Sequence, residues 1–262
     1  MPTDLVRSST IEHDGGSTAG IARSVELFGL FRNEATDPDS FYHYLAADTV
    51  RHVHRYLDPS GRVAVDVGGG PGYVAEALKA AGATCHVIEY SSDELKLHDR
   101  SPDSAAQGDG QALPLRDSAA ALVHSSNVLE HVPDWRAMLS EMVRVLEPGG
   151  LGYLTFTNWY SPWGGHETSP WHYLGGRRAV ERYTRRTGEQ PKNEYGVSLF
   201  RLDIADVLGW FEECSDVDVL WVGPRYLPEW MRWIVRVPVV REVVTWNLAV
   251  VFRRRAMSGP RA

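Results

Sequence analysis

Cysteine is scarce in this chain of 262 residues: only Cys85 and Cys214 occur, far apart and without a CxxC pair. That excludes a disulfide framework or a zinc ribbon. Both thiols sit in apolar, strand-like runs, so free buried cysteines in a reducing, cytoplasmic setting are expected. A long hydrophobic run is missing too. The longest uncharged apolar stretch, VVTWNLAVVF at residues 243–252, is too short to span a bilayer. Residues 1–18 lack the apolar segment of a signal peptide and read as a loose tail. Positive charge is in deficit: 27 Lys and Arg against 34 Asp and Glu leave a net −7. Long-range attraction to a phosphate backbone is therefore absent, and nucleic acid is not expected as a partner. No internal repeat or low-complexity tract is present.

What is there is an ordinary globular composition, 43% hydrophobic and 23% charged, long enough for one large α/β domain with a cap. From Gly61 onward, short β-branched runs alternate with amphipathic helical ones, as in a parallel sheet covered on both faces. RVAVDVG (62–68) reads as a buried strand and GYVAEALKAAG (72–82) as a helix closed by Gly82. TCHVIEY (84–90) is a second strand, followed by a helix opened at Ser91 or Ser92. A weak third strand ends near Gly108, and AALVHSSNV (120–128) is the fourth. DWRAMLSEMVRVLEPGG (134–150) is a helix stopped by Pro148-Gly149-Gly150, and LGYLTFTN (151–158) a fifth strand. Later helices are read at 179–188 and 201–211, later strands at 217–222 and 245–252, and the arginines at 253–255 as a solvated strand end. Residues 19–60 supply helices that precede the sheet, the main domain runs over 61–255, and 256–262 is a tail.

The strongest local signal is VAVDVGGGPGYV, a strand, then Asp66-x-Gly68-x-Gly70-x-Gly72, then a helix. Alternating glycines turn the chain sharply and bring bare backbone and a helix N-terminus against a ligand. A dinucleotide fingerprint would need a glycine where Tyr73 stands, so the spacing argues against an NAD enzyme. Glu89 ends the second strand 23 residues after Asp66, where an acid can accept from both ribose hydroxyls.

With this turn, QGDGQALPL (107–115), SSNVLEHVPDW (125–135) and RVLEPGGLGYLTF (144–156) follow in order. Together they resemble the class I S-adenosylmethionine (SAM) methyltransferases of type 11. GGHE, HYLGG, KNEYGVSLF, PRYLPEW and VPVVREVV further resemble a group of actinobacterial, notably mycobacterial, methyltransferases, and carry no acceptor identity with them. The resemblance implies a Rossmann-like fold: a mostly parallel seven-stranded sheet, helices on both faces, and a cap made by insertions after strands 5 and 6. It implies SAM as cofactor, held by Asp66, Gly68, Gly70, Gly72, Glu89, Asp109 beside the adenine amine, Gly110 and Asn127. Tyr44 or Tyr42, on the helix read in FYHYLAADT, would reach the methionine carboxylate.

Methyl transfer is an in-line displacement in which the cofactor brings the activated carbon, and a hydroxyl acceptor also needs a base. His166 is the first candidate, with His131 and His172 behind it and Glu167 in the same loop. That loop belongs to a lid at 159–200 that opens with NWYSPWGGHETSPWHYLGG, rich in Trp, Tyr and Gly. No metal is expected, because HETSPWH is not H-E-x-x-H and Pro170 opposes the helix that motif needs. The Trp- and Arg-rich insertion at 225–244 leaves open a helical hairpin completing the lid, a homodimer contact, or weak seating on a membrane surface. The expected reaction is O-methylation of a small molecule such as a sugar, glycolipid or secondary metabolite. N- or C-methylation, or a silent SAM-binding or peripheral membrane module, are the alternatives. A nucleic-acid methyltransferase is disfavoured, since SSNVLEH replaces the Asn/Asp-Pro-Pro-aromatic run of exocyclic-amine enzymes.

Overall fold

The stretch VAVDV is buried along nearly its whole length, which only a central parallel strand requires. Its side chains alternate between two apolar layers: Val65 and Val67 join Met138, Leu139, Met142, Leu208 and Phe211 on one face. Ala64 joins Val53, Leu78, Leu122 and Tyr153 on the other. The computed structural model describes residues 20–34 and 36–256, so the tail read at 1–18 and positions 257–262 lie outside the described residues.

Seven strands form the sheet: β1 (Val63–Val67), β2 (Thr84–Glu89), β3 (Ala105–Gln107), β4 (Ala120–Ser126), β5 (Leu146–Thr157), β6 (Val217–Pro224) and β7 (Asn247–Arg254). Their order is β3-β2-β1-β4-β5-β7-β6. All pair in parallel except β7, which runs antiparallel to β5 and β6. Strand order reverses between β1 and β4, so a crevice opens at their carboxyl ends. The helices are α1 (Ile21–Arg32), α2 (Pro38–Val53), α3 (Tyr73–Ala80), α4 (Trp135–Val145), α5 (Gly176–Thr187), α6 (Ile204–Glu213) and α7 (Val240–Val244). None of the helices among the described residues is long and apolar enough to cross a membrane.

The expected seven-stranded, mostly parallel fold with caps after strands 5 and 6 is what forms, and Gly82 follows the C-cap of α3 at φ 90°. Several local readings are corrected. After β2 there is no α-helix. Ser91 accepts from the Asp93 amide at 3.2 Å, and a 3-10 segment, Glu94–Asp99, breaks at His98 with φ 58°. Helix α4 stops at Val145, because Pro148 disfavours helix at Glu147 and Leu146 already pairs with Ala120 of β4. The insertion is not a helical hairpin but a 3-10 segment, Glu229–Arg236, followed by the five-residue α7. Arg253 and Arg254 are not simply solvated: they donate to the carbonyls of Tyr56 and Leu146 and stitch β7 to its surroundings.

The cap docks through buried polar contacts as well as apolar ones. Arg225, 3% exposed, donates to Thr49 Oγ1 at 2.6 Å and Thr155 Oγ1 at 3.2 Å, fastening α2 to β5. Glu242 of α7 accepts from the Ile204 and Ala205 amides at 2.8 and 2.9 Å, closing the N-terminus of α6 where Asp203 does not.

Candidate active site

The glycine turn sits on the β1 edge of the crevice. Gly68, Gly70 and Gly72 have φ of 69°, 48° and 87°. A Cβ on Gly68 would meet Val128 at 2.3 Å, and one on Gly69 would meet the Asp66 carboxylate at 2.5 Å. The turn is pressed between the end of β4 and Asp66, and only bare backbone fits. Asp66 therefore lies beneath the turn, 1% exposed, with Oδ1 2.7 Å from His124 Nδ1 and Oδ2 unpartnered. It positions the loop from below.

Glu89, 8% exposed, accepts from the Gly70 amide at 3.0 Å and the Ser91 amide at 3.2 Å. Each oxygen keeps a further acceptor site, as a ribose diol needs. Asp109 accepts from the Gln111 amide at 2.8 Å and from its side-chain amide at 3.1 Å. Gly110 lies against Met138 and Val67. Gly108, read in the sequence only as the end of the third strand, belongs to the cradle too: a Cβ there would strike Ile88 at 2.8 Å and Pro114 at 2.9 Å. A cradle that Cβ atoms would fill, with an acid at its rim, fits a nucleoside cofactor. Asn127, at φ 56°, accepts from Asn247 Nδ2 at 2.6 Å and stands where this crevice meets the space under the cap.

That space is a chamber of about 830 Å³. Leu27, Phe28 and Phe31 of α1, with Phe41, Trp163 and Trp246, give it apolar walls. Trp163 meets Phe31 and Trp246 edge-on, at centroid distances of 5.4 and 4.8 Å. Tyr42 faces the chamber and donates to Glu34 at 2.5 Å; burial, then Glu34, pushes its phenol well above the usual range. Tyr44 turns away, its hydroxyl on Glu26 at 2.9 Å and Arg51 over its ring.

His131, His166 and Glu167 line the chamber. His131 Nδ1 lies 2.7 Å from the Ser198 carbonyl, so that nitrogen donates and Nε2 carries the lone pair. The His166 ring packs 5.1 Å from it, and its Nε2 is buried without a partner. Burial, then the charges available to His131 and His172, draws the His166 imidazole down to about 4. Glu167 accepts from Asn193 Nδ2 at 2.9 Å. His172 does not join them. It is 1% exposed, wedged against Trp159, with Nε2 3.2 Å from the Ser161 carbonyl. Gly165 packs so closely beneath it that a Cβ would fall 2.5 Å from the ring, and its place is in the lid's own packing.

One residue was missed altogether. Glu130 is 1% exposed; one oxygen accepts from the Thr157 amide at 3.0 Å, and the other has no partner. Its carbonyl accepts from Phe200 at 2.8 Å, and burial raises its carboxyl. The only signal in the sequence was its place before His131 at the end of β4.

Comparison with known proteins agrees with this geometry. The family profile described as "Methyltransferase domain" matches residues 65–154, from β1 into β5. The chain is 43% identical over 248 residues to an uncharacterized methyltransferase of Mycolicibacterium gilvum, covering 90% of this chain and 95% of that one. It is 42% identical to another from Mycobacterium marinum, with 90% and 96% covered. A solved SAM-dependent methyltransferase from Mesorhizobium loti shares the fold at 19% identity and a TM-score of 0.56, covering 79% of this chain and 98% of its own. With relatives at 42–43% identity over 90% of its length, the chain is a member of the SAM-dependent methyltransferase family, an enzyme whose cofactor is S-adenosylmethionine.

Proposed function

We propose that this enzyme O-methylates a small molecule with an apolar body and a hydroxyl group. The observation that carries the reading is the chamber: greasy along α1, Trp163 and Trp246, and polar where His131 and His166 meet the crevice. An apolar body held by those walls presents its polar end to the imidazoles.

SAM, when bound, supplies an activated methyl carbon and a thioether leaving group. On the protein side, Glu89 would accept from the ribose hydroxyls, while Gly68, Gly70 and Gly72 would allow the backbone close approach. Asp109 and Gly110 would border the adenine, Asn127 would stand between cofactor and acceptor, and Asp66 steadies the turn from below. Tyr42, rather than Tyr44, has the placement to meet the methionine end. The cap keeps water out. With SAM held there, an imidazole would take the acceptor's O–H proton while the oxygen displaces the thioether from the methyl carbon. His131 is arranged for this with Nδ1 tied to Ser198 and Nε2 free, and His166 stays neutral at ordinary pH so that its lone pair is available.

The test is a product assay with amphiphilic phenols, glycosides and their amine and O-capped analogues, followed by mass spectrometry. Methylation of free hydroxyls, lost with O-capping and reduced about 100-fold or more in His131→Ala or His166→Ala, is expected. Methyl transfer only to nitrogen or carbon, or variants with unchanged pH profiles, would overturn the reading.

A further inference from the structure

Glu130 is a carboxylate with no hydrogen-bonded cationic side chain among the described residues and one buried oxygen unused. A charged carboxylate isolated in this way is disfavoured, and that oxygen is suited to face a cation. A carboxylate oxygen of Glu130 and one ring nitrogen from each of His131 and His166 lie within 4.8 Å of one another. His166 Nε2 is itself buried and unpartnered. Two orphaned groups, the Glu130 carboxylate and the His166 imidazole, and the His131 imidazole thus converge from two separate segments, the turn after β4 and the loop after β5.

We propose that Glu130, His131 and His166 form a binding site for a divalent transition-metal ion, with its open positions toward the chamber. Two imidazoles and a carboxylate suit zinc, manganese, iron or cobalt, and suit magnesium or calcium poorly. The outer hydrogen bonds that hold such ligands are present: the Thr157 amide on Glu130 and the Ser198 carbonyl on His131 Nδ1. Of the HETSPWH stretch only His166 takes part: Glu167 bonds Asn193 and His172 is buried elsewhere. The site rests on the hydroxyl reading only for its role, which is to grip the acceptor oxygen. Without the ion the imidazoles face the hydroxyl directly; with it they serve as ligands.

The experiment uses the full-length enzyme, stripped with a chelator, saturated with S-adenosylhomocysteine and titrated with cobalt(II) chloride under visible absorption. A single saturating equivalent with d–d bands is expected. His166→Ala and Glu130→Gln should each weaken binding about 10- to 100-fold or more, while His54→Ala, at an exposed position outside the cluster, leaves it unchanged. If Glu130→Gln fails to fold by circular dichroism, His166→Ala decides. No saturable spectrum, a spectrum that survives the variants of the cluster, or one lost in His54→Ala overturns the proposal. Because no acceptor is present in the titration, its failure leaves the hydroxyl reading standing, and a failed product assay leaves the ion site standing.

Discussion

The cofactor crevice is placed by bonds made by the turn's own backbone amides, Gly72 N to Gly69 O at 3.0 Å and Gly70 N to the Glu89 carboxylate, 19 residues on, at 3.0 Å. The chamber is placed by side chains from distant parts of the chain: Arg23 of α1 donates to the Arg225 carbonyl at 2.9 Å, across 202 residues, and His131 holds Ser198 across 67. The first arrangement tolerates almost no substitution at its glycines. The second is assembled from replaceable apolar surface around a few fixed polar groups. It follows that cofactor affinity and acceptor selectivity should respond to different mutations.

The largest separation is expected from Gly68→Ala. Its φ of 69° and the clash with Val128 together cost about 3 kcal/mol, which would weaken SAM binding roughly 100-fold by calorimetry. Binding within a few-fold of the parent would show that the turn is not under the strain the contacts describe. Trp163→Ala works the other way. Loss of the wall against Phe31 and Trp246 should raise acceptor KM about tenfold while the SAM dissociation constant stays within about twofold. If both constants move together, the two regions are one site.

The shallowest effect, read per pH unit, is on stability and concerns the packing of α2 against β5 and β6. His52 of α2 is wedged against Trp221 and Tyr153 at 4.7 and 5.5 Å, its Nδ1 3.2 Å from the Tyr153 hydroxyl. Burial, then Arg55, lowers its pKa from 6.5 to about 3. Between those values the unfolded chain binds a proton that the folded one refuses, so stability falls as pH drops from about 6.5 toward 3, by at most about 1.4 kcal/mol per pH unit. Urea midpoints measured down that range should fall less steeply in His52→Gln. An unchanged slope would mean that α2 releases His52 before it protonates.

The half of the molecule built on periodicity was readable from the sequence. VAVDVG, its glycines and Glu89 announce a strand, a turn and an acid because each is fixed by neighbours near in the chain. Which histidine faces the chamber was not readable. His166 and His172 sit in a loop without a period, and only the packing of Gly165 and Trp159 sends one inward and buries the other. Tyr42 and Tyr44, two positions apart on one helix, point in different directions that depend on α1. Glu130 was hidden for a different reason: a buried carboxylate contradicts composition rules, and only its surroundings reveal it. The α6 cap was illegible because its acceptor, Glu242, lies 38 residues beyond Ile204.

β7 has one more effect. It lies between β5 and β6, although it is the last of the seven to leave a ribosome. Until residues 247–254 arrive, β6 has no strand to pair with. β1 through β5 can already pair with one another at that stage. During synthesis, then, a nascent nucleoside cradle can take shape while the acceptor vestibule is still open, and the exposed flank of β5 is the surface a chaperone would have to guard in the interval.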